Sequence, residues 1–380
     1  MKNFESGTYI QHDFYKSFLP TKLSREWKID DMELSKLLSD ADREIGKLDM
    51  FSSHIPDIDM FIRLQVTREA TDSSKIEGTQ THFDEAIKEA EDIPEERRDD
   101  WQEVQNYISA INYGIERLST LPISSRLIQE THRYLLKGVR GKYKNPGEFR
   151  RSQNWIGGAS ISDAAFVPPH QDDLPDLMTD LEKFIHCNNL IPELVKIALI
   201  HYQFETIHPF LDGNGRIGRL LIPLYLTNKG VIQRPILYMS AFFEKNRRVY
   251  YDKLSNVRIN NDIVGWVKFF LVGVIETAKN SINTFNKILD LKEAVSEKLQ
   301  KLGKRSASAT TIVKYLYGSP LIKIKKIMEI LNVSHGTAYS LVKELCEIGI
   351  LVKLPRTATK DRYYVFKDYL NIFSERTDDR

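Results

Sequence analysis

The stretch His208-Pro209-Phe210-Leu211-Asp212-Gly213-Asn214-Gly215-Arg216-Ile217-Gly218-Arg219 constrains the fold of this chain more than any other. Helical periodicity runs into it and out of it. Leu194, Ile197, Ala198, His201 and Phe204 share one face of a helix opened by Pro192. Ile217, Leu220, Leu221, Leu224 and Tyr225 share one face of another, which stops at Gly230. Pro209 forbids continuing the first helix, because it has no N–H and pushes His208 out of helical geometry. Gly213 and Gly215 admit backbone shapes that other residues resist and let a ligand approach the main chain. The chain must therefore turn a corner here, with the free N–H groups and positive dipole end of the second helix facing into it. Arg216 and Arg219 add two guanidinium forks on one side of that first turn, which makes an anion pocket. Asp212 sets one carboxylate at the rim, where it would hold Mg²⁺ against phosphates. His208 is the only group of the stretch that can accept a proton near neutral pH. Asp-Gly-Asn-Gly alone is an ordinary turn. A histidine, an aspartate, an asparagine, two glycines and two arginines around one helix start are hard to explain by folding alone.

The rest of the chain also reads as mostly helical. Leu174, Leu177, Met178, Leu181, Phe184 and Ile185 mark a helix closed by Asn188-Asn189, and a long helix runs from about Asp262 to Leu302. Asp84–Asp100, with nine acids and three bases, reads as a solvated helix face and loop. Asn154–Ile156 and Phe166–Val167 flank Gly157-Gly158 as a small hairpin. At ~150 residues per domain, 380 residues suggest two or three domains. The 42% apolar and 28% charged composition excludes wholesale disorder. A net charge of +2 demands neither nucleic acid nor membrane, but it is unevenly spread: Lys301–Lys367 carries +9, so the remainder carries −7. The polar stretch Leu302–Thr310 reads as a linker to this basic module. Two cysteines, Cys187 and Cys346, are too few for a disulfide framework. No signal-like start and no apolar run of the ~20 residues that a membrane span needs are present, so the expected setting is the cytoplasm.

HPFLDGNGRIGR matches the signature of the Fic (Fido-domain) family, HPF-x-D/E-GNGR-x-x-R, at every defined position, and the resemblance extends over roughly Phe51–Asn280. Members of that family resemble nucleotidyltransferases that move AMP from ATP to a Ser, Thr or Tyr hydroxyl of a protein. The resemblance implies that His208 is the base for the target hydroxyl and that Asp212 holds Mg²⁺ between the α- and β-phosphates. Gly213, Asn214, Gly215 and Arg216, with the adjoining Ile217 and Gly218, would form the phosphate site, and Arg219 would grip the γ-phosphate. Phe210 would pack in the core. Arg150 to Gly158 followed by Phe166-Val167-Pro168-Pro169 resembles the family's flap, which aligns a target segment by strand addition. Its Ile156, Gly157 and Gly158 would adjoin the nucleotide, and Tyr250-Tyr251 resembles the aromatic pair near the adenine.

Ser73…Glu77-Gly78 fits the family's inhibitory motif, S/T-x-x-x-E-G/N, at the end of a helix over about 60–78. A glutamate in a last helical turn sits against the dipole and needs either a cation or open water. The resemblance implies the cation: Glu77 pairs with Arg219 and fills the γ-phosphate place. Whether Glu77 also assists AMP removal is not legible in the sequence. In the basic module, Leu321–Leu331 and His335–Ile348 read as helices joined by Asn332-Val333-Ser334, with Ser334 as a cap. Ile350–Val352 and Tyr363–Phe366 then flank the basic turn Thr357–Arg362. This order resembles a winged helix. Its exposed His335, Thr337, Tyr339, Ser340 and Lys343, with Lys353, Arg356, Lys360 and Arg362, suit DNA, while protein docking or dimerisation is the alternative.

The expected protein is therefore mainly α-helical. An N-terminal helical segment (1–100) carries the inhibitory helix, a Fic core (101–300) carries the small hairpin, and a winged-helix α+β domain (310–370) follows. The expected activity is autoinhibited AMP transfer to a target protein and to the chain itself, with ATP and Mg²⁺, in a homodimer. The competing readings are a transcriptional regulator whose Fic domain senses nucleotide, and transfer of another phosphate-containing group.

Overall fold

The computed structural model describes residues 1, 4–55, 58–138, 140–188, 190–354 and 362–374. The chain opens on an antiparallel hairpin, β1 (Gly7–Gln11) and β2 (Lys16–Pro20), paired from Gly7↔Pro20 to Gln11↔Lys16. The expected helical N-terminal segment thus begins with a short hairpin. The helices α1 (Met32–Ser53), α2 (Ile58–Ile76), α3 (Phe83–Ala86), α4 (Arg98–Arg117) and α5 (Ser125–Leu135) follow. Next come α6 (Leu174–His186), α7 (Glu193–Ile207), α8 (Asn214–Asn228), α9 (Ser240–Lys245), α10 (Arg247–Asn260) and α11 (Ile263–Gln300).

The sequence explains the boundaries. Asp31 accepts from the Leu34 N–H and Asp262 from the Gly265 N–H, which caps α1 and α11. These two helices lie along each other, with Phe51 stacked on Phe285. The pair α7 and α8 forms the centre. Both are buried almost all round, so neither shows the one-sided pattern of a surface helix. The corner between them is thereby held from every side.

The C-terminal module consists of α12 (Ser306–Gly318), β3 (Leu321–Lys323), α13 (Ile324–Leu331), α14 (His335–Glu347), β4 (Val352–Lys353), β5 (Tyr363–Val365) and α15 (Lys367–Ser374). Its sheet runs β3-β5-β4, antiparallel throughout. The expected linker Leu302–Thr310 is instead a 3₁₀ turn (Gly303–Arg305) and the start of α12, because Ala309, Ile312, Val313 and Leu316 of that helix find a core to enter. That core includes α2: Phe61 meets Tyr317 and Tyr369 edge-on, at 5.5 and 6.3 Å. The segment expected as a helix over Leu321–Leu331 begins as strand, since Leu321–Lys323 pairs with Tyr363–Val365. The tip residues Arg356, Thr357 and Lys360 lie outside the described residues.

Asp84–Asp100 is not simply a solvated face. The side chain of Asp92 is buried and accepts from Lys323 Nζ (2.9 Å) and Tyr363 Oη (2.6 Å), joining this segment to the C-terminal module.

Candidate active site

The turn at the end of α7 is built on a strained residue. His208 caps α7 in the left-handed region (φ 50°, ψ 59°), a shape uncommon for a residue with a Cβ. Its N–H donates to Phe204 O at 2.9 Å. Its ring Nδ1 donates to Glu205 O at 3.3 Å, which leaves Nε2 as the acceptor. Burial lowers its pKa from 6.5 to about 4, despite the opposing pull of the Glu205 carbonyl and the Glu77 carboxylate. The imidazole is therefore neutral at pH 7 and able to take a proton.

Gly213 (φ 76°) then starts α8, as its backbone freedom allows. The Asp212 carboxylate, 40% exposed, accepts from the Gly213 N–H (2.6 Å) and Arg216 Nη2 (3.3 Å). Asn214 does not offer its side chain to a phosphate. Its amide closes the loop on itself, accepting from Phe210 N and donating to Phe210 O, both at 2.8 Å. Ile217 and Gly218 face inward rather than towards a ligand. Ile217 is in the core, and Gly218 leaves room for Glu205, whose Oε1 would lie 2.2 Å from a Cβ there. Burial raises the Glu205 carboxyl to about 7, and its Oε1 has no hydrogen-bond partner. Phe210 is buried in the core, as the sequence implied.

Arg219 is held by α2. Its Nε donates to Ser73 Oγ (2.9 Å), and its Nη2 donates to Ser73 O (2.9 Å) and to Glu77 Oε1 (2.7 Å). The guanidinium is 1% exposed and the Glu77 carboxylate 35%. Burial pushes the Glu77 carboxyl up, but Arg219 first, then Arg216 and His208, outweigh it and hold it below its usual value. Burial alone would lower Arg219, and Glu77 overrides that, so its pKa is raised. Glu77 also lies on the start of α8: a Cβ at Gly215 would stand 2.3 Å from its Oε1. Gly78 (φ 98°) turns the chain away directly afterwards. Arg216 is buried too, 3.3 Å from Glu103 Oε2, which also accepts from Thr79 Oγ1 at 3.0 Å. Both arginines of the pocket thus rest on carboxylates.

Residues 35–116 match the family described as Fic/DOC family N-terminal, and residues 122–226 match the Fic/DOC family. This chain carries a Fic domain. Its likeness to curated relatives is partial. It is 32% identical over 177 residues to Protein adenylyltransferase Fic of Drosophila grimshawi, covering 45% of this chain and 33% of that one. To the Aedes aegypti protein of the same name it is 36% identical over 153 residues, covering 39% and 27%. The chain thus spans about a third of the length of the curated relatives it matches. The fold is shared more widely. A Fic family protein of Desulfovibrio desulfuricans superposes with a TM-score of 0.56 at 22% identity, covering 89% of this chain and 97% of that one. A Fic domain containing signaling protein of Bacteroides thetaiotaomicron gives 0.52 at 19%, covering 66% and 95%.

Two expectations for this Fic domain need revision. Tyr250 is in the aromatic core, stacked on Phe243 at 4.5 Å with its hydroxyl donating to His201 Nε2 at 2.8 Å, so it walls the site from behind. Of the pair, Tyr251 is the one that opens to solvent, at 40%. The flap is not an extended hairpin. It is one bridge, Ile156↔Phe166, with Gly157 (φ 69°) and Gly158 (φ 75°) exposed beyond it. Its base is tied to the loop instead: Asn154 Nδ2 donates to Phe210 O at 2.9 Å, and the Phe18 N–H of β2 donates to Val167 O at 3.0 Å. His132, Glu103 and Thr79 also belong to the site, and each is far in sequence from the motif it touches, whereas Glu205, three residues before His208, gives no signal because it falls on an otherwise apolar helix face.

Proposed function

We propose that this chain is an autoinhibited protein adenylyltransferase that moves AMP from ATP to a Ser, Thr or Tyr hydroxyl of a target protein and of itself. The observation that carries this reading is the 2.7 Å contact of Glu77 with Arg219, made over the first turn of α8. A carboxylate fills a place lined by N–H groups and guanidinium, which suits an anion such as the γ-phosphate. His208 Nε2 takes the proton of the target hydroxyl. The hydroxyl oxygen bonds the α-phosphorus, the bond from that phosphorus to the bridging oxygen breaks, and pyrophosphate leaves with the charge. The N–H groups at the start of α8 meet the charge that develops on the phosphates. Asp212 suits Mg²⁺, which binds through one or two carboxylates plus substrate phosphates, and no group of three or more acidic, His or Cys ligands exists among the described residues. When bound, the ion would offset phosphate charge.

A charge-assisted hydrogen bond contributes roughly 1.5–3 kcal/mol, or about 10- to 150-fold in population. The Glu77 contact therefore keeps the enzyme mostly off without making it permanently inactive. A pure nucleotide sensor would have no use for the neutral imidazole of His208, which favours transfer. Intact-mass analysis after incubation with ATP and Mg²⁺ tests the reading. One AMP unit should appear on the wild type, more on Glu77→Gly, and none on His208→Ala. No gain of AMP on Glu77→Gly would overturn it.

In the C-terminal module, α14 exposes His335, Thr337, Tyr339 and Lys343, whereas Ser340 is engaged by Arg305 (2.8 Å). Duplex DNA is the proposed partner of this face. A steep fall of affinity with salt is expected, and no binding at low salt would leave protein docking. No helix among the described residues is long and apolar enough to cross a membrane. Homodimerisation and a cytoplasmic setting complete the proposal.

A further inference from the structure

The carbonyl groups of the corner are taken up nearly one after another by donors outside it. Arg150 Nε donates to His208 O (3.0 Å), and the Arg150 N–H donates to Pro209 O (2.8 Å). Asn154 Nδ2 donates to Phe210 O (2.9 Å) and to His208 O (3.3 Å). His132 Nε2 donates to Asp212 O (2.9 Å). All three side chains are buried. The Arg150 guanidinium also donates to the carbonyls of Ser152, Pro169 and Ile207, so a buried cation is spent on holding main chain.

His132 shows what the arrangement does. The Gly147 N–H donates to its Nδ1 at 2.8 Å, so Nε2 carries the proton and is a donor towards Asp212. The ring lies flat on Phe210, 3.7 Å away with planes 5° apart, and cannot turn. In a trans peptide the carbonyl and the following N–H point opposite ways. Fixing the Asp212 carbonyl on His132 therefore aims the Gly213 N–H to the other side, where it meets the Asp212 carboxylate at 2.6 Å. The imidazole thus reaches the carboxylate through one rigid peptide plane.

We propose that His132 is a positioning residue for the transfer reaction, acting through the Asp212–Gly213 peptide to aim the Asp212 carboxylate at the magnesium-bearing phosphates. Arg150 and Asn154 do the same for the peptides around His208. The proposal rests on the adenylyltransferase reading above.

The test compares His132→Asn with His132→Gln in the full chain carrying Glu77→Gly. The Asn amide oxygen replaces Nδ1 and keeps the Gly147 bond, but leaves no donor for Asp212. The Gln amide nitrogen stands near Nε2 and keeps that donor. Misplacing a catalytic group by about an ångström costs up to roughly a hundredfold. His132→Asn should therefore raise the half-saturating Mg²⁺ for ATP binding, read by calorimetry with His208→Ala added to stop turnover, and raise the KM for ATP in self-modification with His208 intact, each roughly tenfold or more. His132→Gln should stay within a few-fold of its parent. Equal Mg²⁺ dependence of the two variants, or a larger loss in His132→Gln, overturns the proposal. Should neither variant melt cooperatively, Asn154→Asp, nearly the same shape but without the donor, should lower kcat of self-modification roughly tenfold or more with little change in the KM for ATP, and an unchanged kcat overturns the proposal. A Glu77→Gly parent that transfers no AMP sinks the adenylyltransferase reading and this proposal with it. A competent parent with indifferent variants sinks this proposal alone.

Discussion

The two ends of α2 meet the protein in different ways. At its C-terminal end, Ser73 and Glu77 enter a polar site and hold Arg219 through short, directional bonds. Towards its N-terminal end, Phe61 is buried against Tyr317 and Tyr369 of the C-terminal module. A phosphate can replace the bonds at the first end, since it offers the same charge and acceptors. No ligand replaces the apolar area at the second. Under the proposed function, the Glu77 end of the helix exchanges partners while its other end stays seated.

Substitutions at the two ends should separate these roles, and the largest effect belongs to the chemistry itself. His208→Ala should lower AMP transfer by roughly 10²–10⁴-fold, the usual contribution of a positioned base, with an unchanged melting profile apart from its local packing. Phe61→Ala should cost about 3–5 kcal/mol in denaturant unfolding, as expected for a large-to-small change in a core. A cost below ~1 kcal/mol would mean that the aromatic contact does not seat the helix. Glu77→Gly should raise self-modification about 10- to 150-fold without a comparable loss of stability, the reverse of Phe61→Ala.

How much of this contrast was legible in sequence follows the same division. His208–Arg219 and Ser73–Glu77 can be read because the chemistry is compressed into consecutive residues whose types have few structural uses together. That Arg219 and Glu77, 142 residues apart, should touch came from the resemblance to a family, and their contact is in the structure. His132, 80 residues from Asp212, gave no signal, because a buried histidine on an amphipathic helix looks like any other. Phe61, Tyr317 and Tyr369 are likewise ordinary apolar positions, so their meeting is a tertiary fact. The polar stretch at Leu302–Thr310 looked like a linker for the same reason, since burial against neighbouring helices overrides weak local preference. The β1–β2 hairpin escaped notice because its strands are short and β1 is largely exposed.

Smaller effects sharpen the picture. Burial holds His132 and His208 at about 4 and His201 at about 3, all below the ordinary 6.5. The unfolded chain binds protons on these groups first, so their contribution to stability is present above about 6.5 and is lost as pH falls towards 4. Glu205, raised to about 7, acts in the opposite sense over the same range. Burial raises the Glu69 and Asp42 carboxyls too, so the three imidazoles act against three carboxyls. His132→Asn should therefore flatten the fall of melting temperature with falling pH relative to wild type, and an unchanged slope would contradict the burial of that imidazole. Least of all, Lys323→Ala should cost roughly 1–3 kcal/mol, since the buried Asp92 carboxylate loses a cation. An unchanged unfolding midpoint would show that Lys323 is not needed to hold that carboxylate.

Whether Glu77 fills the place of a γ-phosphate can be measured directly. In the His208→Ala background, where no turnover consumes the nucleotide, calorimetry would give the affinities of ATP and ADP with and without Glu77→Gly. Removing the carboxylate should tighten ATP about tenfold or more and leave ADP nearly unchanged, because only ATP carries the group that competes for Arg219. Equal tightening of both nucleotides, or of neither, would contradict the account.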